Sequence, residues 1–185
     1  MQTTTTACKV LAATFFSAVA ILGGGNAYAK GDCIGGVITP PNGMVKATDD
    51  ALLASALGPP GKGAMCTGEV FQAVKPVTVY RVFDAAKSYT LYGRWWSFDL
   101  PVGPRDQYQY VNDICPEWSP LDVVSSCTIK VGTKVVIGPT QSAQCIGSLI
   151  PASAVNTVYI PNDSRNNVLF VENCTKGTAW PPSPK

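Results

Sequence analysis

The chain has 185 residues, a formal net charge of +2 and no histidine. The missing histidine excludes Ser-His and Cys-His nucleophilic catalysis and removes the commonest general base and metal ligand. The basic residues are scattered along the chain, so the charge pattern does not favour a nucleic-acid partner.

Residues 1–29 have the pattern of a secretory signal peptide. Lys9 precedes an apolar run over residues 10–22, and Ala27-Tyr28-Ala29 supplies the small residues of a cleavage site. The run is short for a bilayer span, so we expect no membrane span after removal of the leader. An uncleaved membrane anchor is the alternative interpretation. The pattern predicts a secreted or periplasmic protein.

Six of the seven cysteines follow the leader, and their even number in an exported chain predicts three disulfides. The spacing does not choose among the pairings. No Cys-x-x-Cys pair occurs, so we expect structural disulfides and no metal or redox site. The cysteines are Cys33, Cys66, Cys115, Cys127, Cys145 and Cys174.

The predicted elements begin with an irregular arm rich in glycine and proline over residues 30–45. A helix is predicted over residues 48–57, with Thr48 as the N-cap and Gly58 as the stop. From Glu69 onward the chain predicts strands. They cover residues 69–74, 77–83, 94–98, 127–131, 134–137, 155–160 and 168–172.

The last four predicted strands form two successive pairs, the first of them a hairpin that turns at Gly132-Thr133. Residues 101–120 have little periodicity, and a connection of that length is often functional. Residues 176–185 are rich in proline and are predicted to be a disordered tail. We therefore predict an α+β, strand-dominated single secreted domain over residues 30–175, with one short N-terminal helix and about three disulfides.

Arg81 lies within the apolar strand predicted over residues 77–83. Alternation places it on one face with Val77, Val79 and Phe83, and an arginine on a buried face needs an anionic partner. The alternative interpretation buries the opposite face and turns Arg81 toward water, and the pattern leaves both open.

The next candidate is the run Gly93-Arg94-Trp95-Trp96-Ser97. Adjacent tryptophans on a strand point to opposite faces, so one indole can pack in the core while the other lines a groove and stacks on a planar ring. A strand buried on both faces is the alternative interpretation.

A small-residue loop after residue 137 contains Gln141 and Gln144. A glutamine amide offers a donor and an acceptor that can orient water or hold a ribose hydroxyl, although ordinary surface loops contain the same residues. Paired carboxylates could also drive glycosidic chemistry, but no spacing selects two of them. The acidic candidates are Asp84, Asp99, Asp106, Asp113, Glu117 and Glu172.

In chain order, Arg81, the run over residues 93–97 and the Gly138-Pro139 strand end with its downstream glutamine resemble secreted NAD-consuming toxin domains. These are NAD glycohydrolases of the tuberculosis-necrotizing-toxin type and the related ADP-ribosyltransferase toxins, and the resemblance covers about residues 77–162. It implies a strand-rich fold with a nicotinamide cleft and NAD as the substrate. It also implies hydrolysis or ADP-ribosyl transfer at the nicotinamide–ribose bond, and an immunity or inhibitor protein as partner.

By this resemblance Arg81 holds the NAD phosphates, with Arg94 in the same cofactor-binding set. Trp95 or Trp96 stacks near the nicotinamide, and Ser97 braces the site.

The resemblance also assigns the catalytic amide to Gln144 or Gln141. The chain departs from the family in two respects, because it has no cleft histidine and because Thr157 falls near the expected position of the transferase glutamate. These departures bear on transferase activity more than on the fold.

A non-enzymatic secreted binding module cross-linked by disulfides is the alternative function, and a carboxylate-driven hydrolase of glycans or cell wall is a third. Convergence of Arg81, Trp95 and Gln144 on one cleft favours the enzyme, whereas scattered positions favour the binding module.

Overall fold

The computed structural model describes residues 33–182, so the predicted leader and the last three residues of the chain lie outside the described residues. No helix within residues 33–182 is long and apolar enough to cross a membrane. The strands of this part are β1 (Met44–Lys46), β2 (Glu69–Ala73), β3 (Val77–Phe83), β4 (Trp95–Trp96), β5 (Val123–Ile129), β6 (Lys134–Pro139), β7 (Ala143–Cys145), β8 (Ser148–Ile150), β9 (Asn156–Tyr159), β10 (Val171–Glu172) and β11 (Thr178–Ala179). The helices are α1 (Asp50–Ala56) and α2 (Arg105–Val111), with 3₁₀ turns at Ser88–Tyr92 and Ser164–Asn166.

The strands form two main antiparallel sheets. The larger sheet has the order β1-β2-β6-β9-β4, while in the smaller one β3 pairs with one edge of β5, and β10 and β11 pair with the other. Two backbone hydrogen bonds between Tyr80 and Ser97, of 2.8 and 2.9 Å, join the two sheets. β7 and β8 form a separate hairpin. The predicted strand-dominated α+β fold is confirmed.

The main core lies between the inward faces of the two sheets, where apolar side chains alternate with outward ones as strand geometry requires. On β3 the inward residues include Val77 and Val79, and this register carries Arg81 toward the same side. The buried residues that meet here include Phe71, Val77, Val79, Cys127, Ile129, Val135, Ile137, Val158 and Ile160.

The predicted helix is confirmed with a one-residue change of cap. Asp49, not Thr48, is the N-cap, because its side chain accepts the N–H of Leu52 at 3.1 Å. A second helix, α2, occupies part of the segment expected to be irregular. It begins after Pro104 without a side-chain cap, which removes the usual sequence signal for a helix start.

The predicted strand pairs are wrong, although the strands themselves exist. β6 lies between β2 and β9 in the larger sheet, whereas β5 pairs with β3 in the smaller one, so the turn at Gly132 passes from one sheet to the other. β9 and β10 are likewise in different sheets. β6 is fully buried at Val135, Val136 and Ile137. The pairing of such a strand is determined by packing across the core rather than by the nearest turn.

Three disulfides are present, as the cysteine count predicts. They join Cys33 to Cys66, Cys115 to Cys145, and Cys127 to Cys174. The first holds the N-terminal arm. The second ties the loop after α2 to β7, and the third ties β5 to the segment after β10.

The predicted disordered tail is wrong over the part that the structure describes. Thr178–Ala179 pairs with β5, and Trp180 is buried against Val82 and Leu121. The Trp180 Nε1 donates to the carbonyl oxygen of Pro101 at 3.1 Å, and its ring meets Tyr108 edge to face. The tail therefore fixes the position of α2.

Replacing Trp180 with phenylalanine is expected to lower the free energy of unfolding by about 1–2 kcal/mol, because the Pro101 carbonyl loses its donor and the smaller ring leaves volume unfilled. Denaturant unfolding followed by circular dichroism measures this. The control is Trp118→Phe at a half-exposed indole, with an expected change within about 0.5 kcal/mol. Equal losses in the two variants would contradict the role given to the tail.

Candidate functional site

A cavity of about 550 Å³ opens beside the end of β3. The 3₁₀ turn Ser88–Tyr92, β4, α2 and the loop that follows α2 form its other walls. Its polar lining comes from Lys62, Arg81, Asp84, Lys87, Tyr89, Thr90, Tyr108, Asn112, Asp113, Ser119, Thr140 and Thr157. Its size suits a ligand of small-molecule dimensions.

Arg81 reaches this cavity from the inward face of β3. Its Nε donates to the carbonyl oxygen of Thr90 at 2.7 Å, and its Nη1 donates to the carbonyl oxygen of Trp95. The Cζ atom lies 5.9 Å from the ring centroid of Trp96. Gly93 leaves room for this arrangement, since a Cβ there would lie 2.2 Å from the Arg81 Nη2.

No carboxylate forms an ion pair with Arg81 among residues 33–182. Burial lowers the pKa of Arg81 to about 10, and the nearby Tyr108 acts in the opposite direction. Burial also raises the pKa of Tyr108 to about 12. The guanidinium is therefore charged at neutral pH while only neutral carbonyls hold it, which leaves an unmet demand for an anion.

The two adjacent tryptophans contact Arg81 in different ways, Trp96 through its ring and Trp95 through its main-chain carbonyl. Trp96 is buried in the main core, and its Nε1 donates to the carbonyl oxygen of Gly93 at 2.8 Å. Trp95 meets Tyr159 edge to face at 5.0 Å. Both residues line the cavity, and the indole that approaches the Arg81 guanidinium is that of Trp96.

Arg94 and Ser97 lie outside the lining of the Arg81 cavity. The Nε of Arg94 donates to the carbonyl oxygen of Asn162 at 3.3 Å. Ser97 lines a second cavity of about 460 Å³ and pairs through its backbone with Tyr80, next to Arg81. Its contact with the site is thus through the main chain.

Neither candidate glutamine is in the cavity lining. Gln141 is buried, with its Nε2 3.4 Å from the Cys66 Sγ and its Oε1 accepting the N–H of Ser142. Gln144 donates from its Nε2 to the carbonyl oxygens of Cys145 and Ser148. Their amides are engaged elsewhere, so the predicted convergence of a glutamine with Arg81 is not observed.

The cavity lining contains Thr140 and Thr157 and neither candidate glutamine. Thr140 is the residue before Gln141, and its side chain contributes to the cavity wall. Thr157, expected near the place of a catalytic glutamate, also lines the cavity, and its Oγ1 donates to the carbonyl oxygen of Trp96 at 3.0 Å.

Asp113 is one of the six acidic candidates of the sequence, and it is the one that the structure buries in the wall of this cavity. It has no exposed surface, adopts a φ of 54° and lines the cavity beside Thr140. Burial raises the pKa of Asp113 to about 6, while the neighbouring Thr140 hydroxyl and Ser153 backbone N–H act in the opposite direction. No spacing in the sequence distinguishes it from the other five, because its burial depends on its position after the end of α2.

One cluster of metal-ligand residue types occurs within residues 33–182, formed by Cys115, Glu117 and Cys145. Both sulfurs belong to one disulfide, and a Glu117 carboxylate oxygen accepts the N–H of Ile146 at 2.7 Å. These contacts explain the cluster as the anchor of the β7–β8 hairpin.

Comparison with protein-family models, curated proteins and solved structures finds no match to this chain. The function therefore has to be argued from the cavity itself.

Proposed function

We propose that this chain is an exported domain that binds NAD in the Arg81 cavity and that it cleaves the nicotinamide–ribose bond slowly. The observation that carries the binding proposal is the buried Arg81 guanidinium, which faces the cavity without an ion-pair partner among the described residues. An anionic ligand would supply the missing charge.

The aromatic lining favours a ligand that is planar as well as anionic. Trp95, Trp96 and Trp118 all line the cavity, and indoles stack well on flat heterocyclic rings. Lys62 and Lys87 stand at the same cavity, although Lys87 is paired with Asp84 at 3.7 Å. A dinucleotide combines the phosphates and rings that these groups suit.

Cleavage is the finer part of the proposal. Nicotinamide leaves as a neutral molecule from a cationic ring, so positioning and charge stabilisation can drive the reaction with little acid assistance. Because both glutamine amides lie elsewhere and Thr157 stands near the expected position of the glutamate, we expect slow hydrolysis and no ADP-ribosyl transfer. Binding without turnover would leave the alternative function, a secreted binding module.

Arg81→Met is expected to weaken NAD binding about 30-fold, because the ligand phosphates lose a desolvated, charge-assisted donor. Isothermal titration calorimetry on oxidised residues 30–185 measures this, and chromatography of released nicotinamide measures turnover. Arg165→Met, at an exposed arginine outside the cavity, is the matched control and should bind like the unmodified chain.

Thermal unfolding of both variants separates a folding defect from a binding defect. Unmeasurable NAD binding by the unmodified, folded domain would remove the proposed function. Equal NAD affinity in the Arg81 and Arg165 variants would remove the assignment of the site.

A further inference from the structure

Asp113 occupies a position where the local backbone calls for a different residue. α2 ends at Val111 with Asn112 as the C-cap, and the N–H of Ile114 donates to the carbonyl oxygen of Gln109 at 2.9 Å. This places Asp113 at the left-handed residue just past the helix, where glycine and asparagine are preferred. A carboxylate there also faces the negative end of the helix dipole, so the turn itself gives no reason for an aspartate.

The carboxylate is buried, and neither of its oxygens has a partner at full hydrogen-bond geometry, although the Thr140 hydroxyl and the Ser153 N–H lie near enough to lower its pKa. Among residues 33–182, the buried side-chain oxygens that lack a partner are the two of Asp113 and the Oγ1 of Thr140. All three belong to residues that line the Arg81 cavity. Unpaired buried polar atoms are costly, and their concentration in the wall of one cavity points to a group that arrives from outside.

The charged groups around the cavity do not supply that partner. The other titratable side chains in its lining are Lys62, Arg81, Asp84, Lys87, Tyr89 and Tyr108. Arg81 is bound to two carbonyls, and Lys87 pairs with Asp84. No ion pair to Asp113 occurs within the described residues.

We propose that Asp113 and Thr140 receive a hydrogen-bond donor of the bound ligand, and that in a nucleotide this donor is a ribose hydroxyl. The inference rests on the proposed NAD-binding function. The two parts of the ligand would then bind at separate places in the cavity. Arg81 would bind the anionic group, and the Asp113–Thr140 pair would bind the sugar. A buried carboxylate discriminates strongly in favour of a ligand that satisfies it.

Gly63 and Trp118 form the part of the cavity wall next to the Asp113 main chain. A Cβ on Gly63 would lie 2.6 Å from the Asp113 carbonyl oxygen and 2.8 Å from the Trp118 Cζ3, so this wall is close-packed. Trp118 is 49% exposed and lines the same cavity, so a ligand that reaches Asp113 would change the surroundings of this indole. Tryptophan fluorescence should therefore change when the sugar enters.

The test is a set of double-mutant cycles between Asp113 and the ligand hydroxyls. NAD and analogues that each lack one ribose hydroxyl are titrated into the unmodified domain and into Asp113→Gly, which suits the left-handed backbone and removes the carboxylate. We expect one analogue to bind the unmodified domain about 10–100-fold more weakly than NAD does, and to bind Asp113→Gly with the affinity of NAD. Thr140→Val should reduce the same preference.

Each outcome separates this inference from the proposed function. Suppose that NAD binds and that Arg81→Met weakens its binding, but that each hydroxyl contributes equally to the affinity in the unmodified domain and in Asp113→Gly. The assignment of the sugar to Asp113 and Thr140 is then wrong, and NAD binding stands. If NAD fails to bind the unmodified domain, both proposals fall. Thermal unfolding confirms that Asp113→Gly is folded before its affinities are compared.

Discussion

Gly93→Ala is expected to lower the free energy of unfolding by about 3–5 kcal/mol and to abolish NAD binding. The added Cβ would lie 2.2 Å from the Nη2 and 2.5 Å from the Cζ of Arg81, so the guanidinium has to move. Movement breaks its hydrogen bonds to the carbonyls of Thr90 and Trp95 and leaves a buried cation uncompensated. Denaturant unfolding and calorimetric titration with NAD measure the two effects.

Gly36→Ala is the matched control for this variant. A Cβ at Gly36 would have no heavy atom within 4 Å, and the expected change is within about 0.5 kcal/mol. If Gly93→Ala were as stable as Gly36→Ala, the Arg81 guanidinium would have another position of similar energy. The conclusion that Gly93 positions this side chain would then be wrong.

Asp113→Asn is expected to raise the free energy of unfolding by about 3 kcal/mol at neutral pH, because it removes a buried charge and places a favoured residue in the left-handed turn. The folded-state pKa of about 6 lies above the ordinary value of 3.8. At 1.36 kcal/mol for each pKa unit, this difference corresponds to about 3 kcal/mol.

The direction of the pH dependence follows from the raised pKa. The folded chain binds the Asp113 proton more tightly than the unfolded chain does, so this group stabilises the fold fully below about pH 4. That stabilisation is lost as pH rises through about 6. Urea unfolding over this range should show the decline in the unmodified chain and not in Asp113→Asn. Asp106→Asn, at an exposed carboxylate on α2, is the control and should retain the decline.

The sequence predicts features that depend on neighbours along the chain. The residue types over residues 77–83 predict β3, which is observed, while their alternation leaves open which face is buried. The structure places Arg81 on the cavity side. The helix stop at Gly58 is also local, because proline follows directly and cannot continue a helix. The approach of a single indole, that of Trp96, to Arg81 could be anticipated because adjacent tryptophans on a strand point to opposite faces.

Features that depend on distant packing could not be predicted. The orientation of the side chains around Gln141 depends on the backbone bridge between Met65 and Thr140, which joins residues far apart in the sequence. The turn at Gly132 has residues typical of a hairpin. Because residues 135–137 are buried, β6 instead pairs in the larger sheet, whereas β5 belongs to the smaller one. Asp113 is one of six acidic candidates in the sequence, and only its position after α2 distinguishes it from the others. The order of the tail depends on the contact between Trp180 and Tyr108.

The bond between Cys115 and Cys145 has a consequence for when the protein can act. It fastens the segment just after Asp113 to the strand just after Thr140, so this side of the cavity has a covalent brace. Thiols in a reducing cytosol do not form such links. A newly synthesised chain would therefore carry an unfinished cavity inside the cell that makes it. The covalent brace of the cavity would therefore close only in an oxidising compartment.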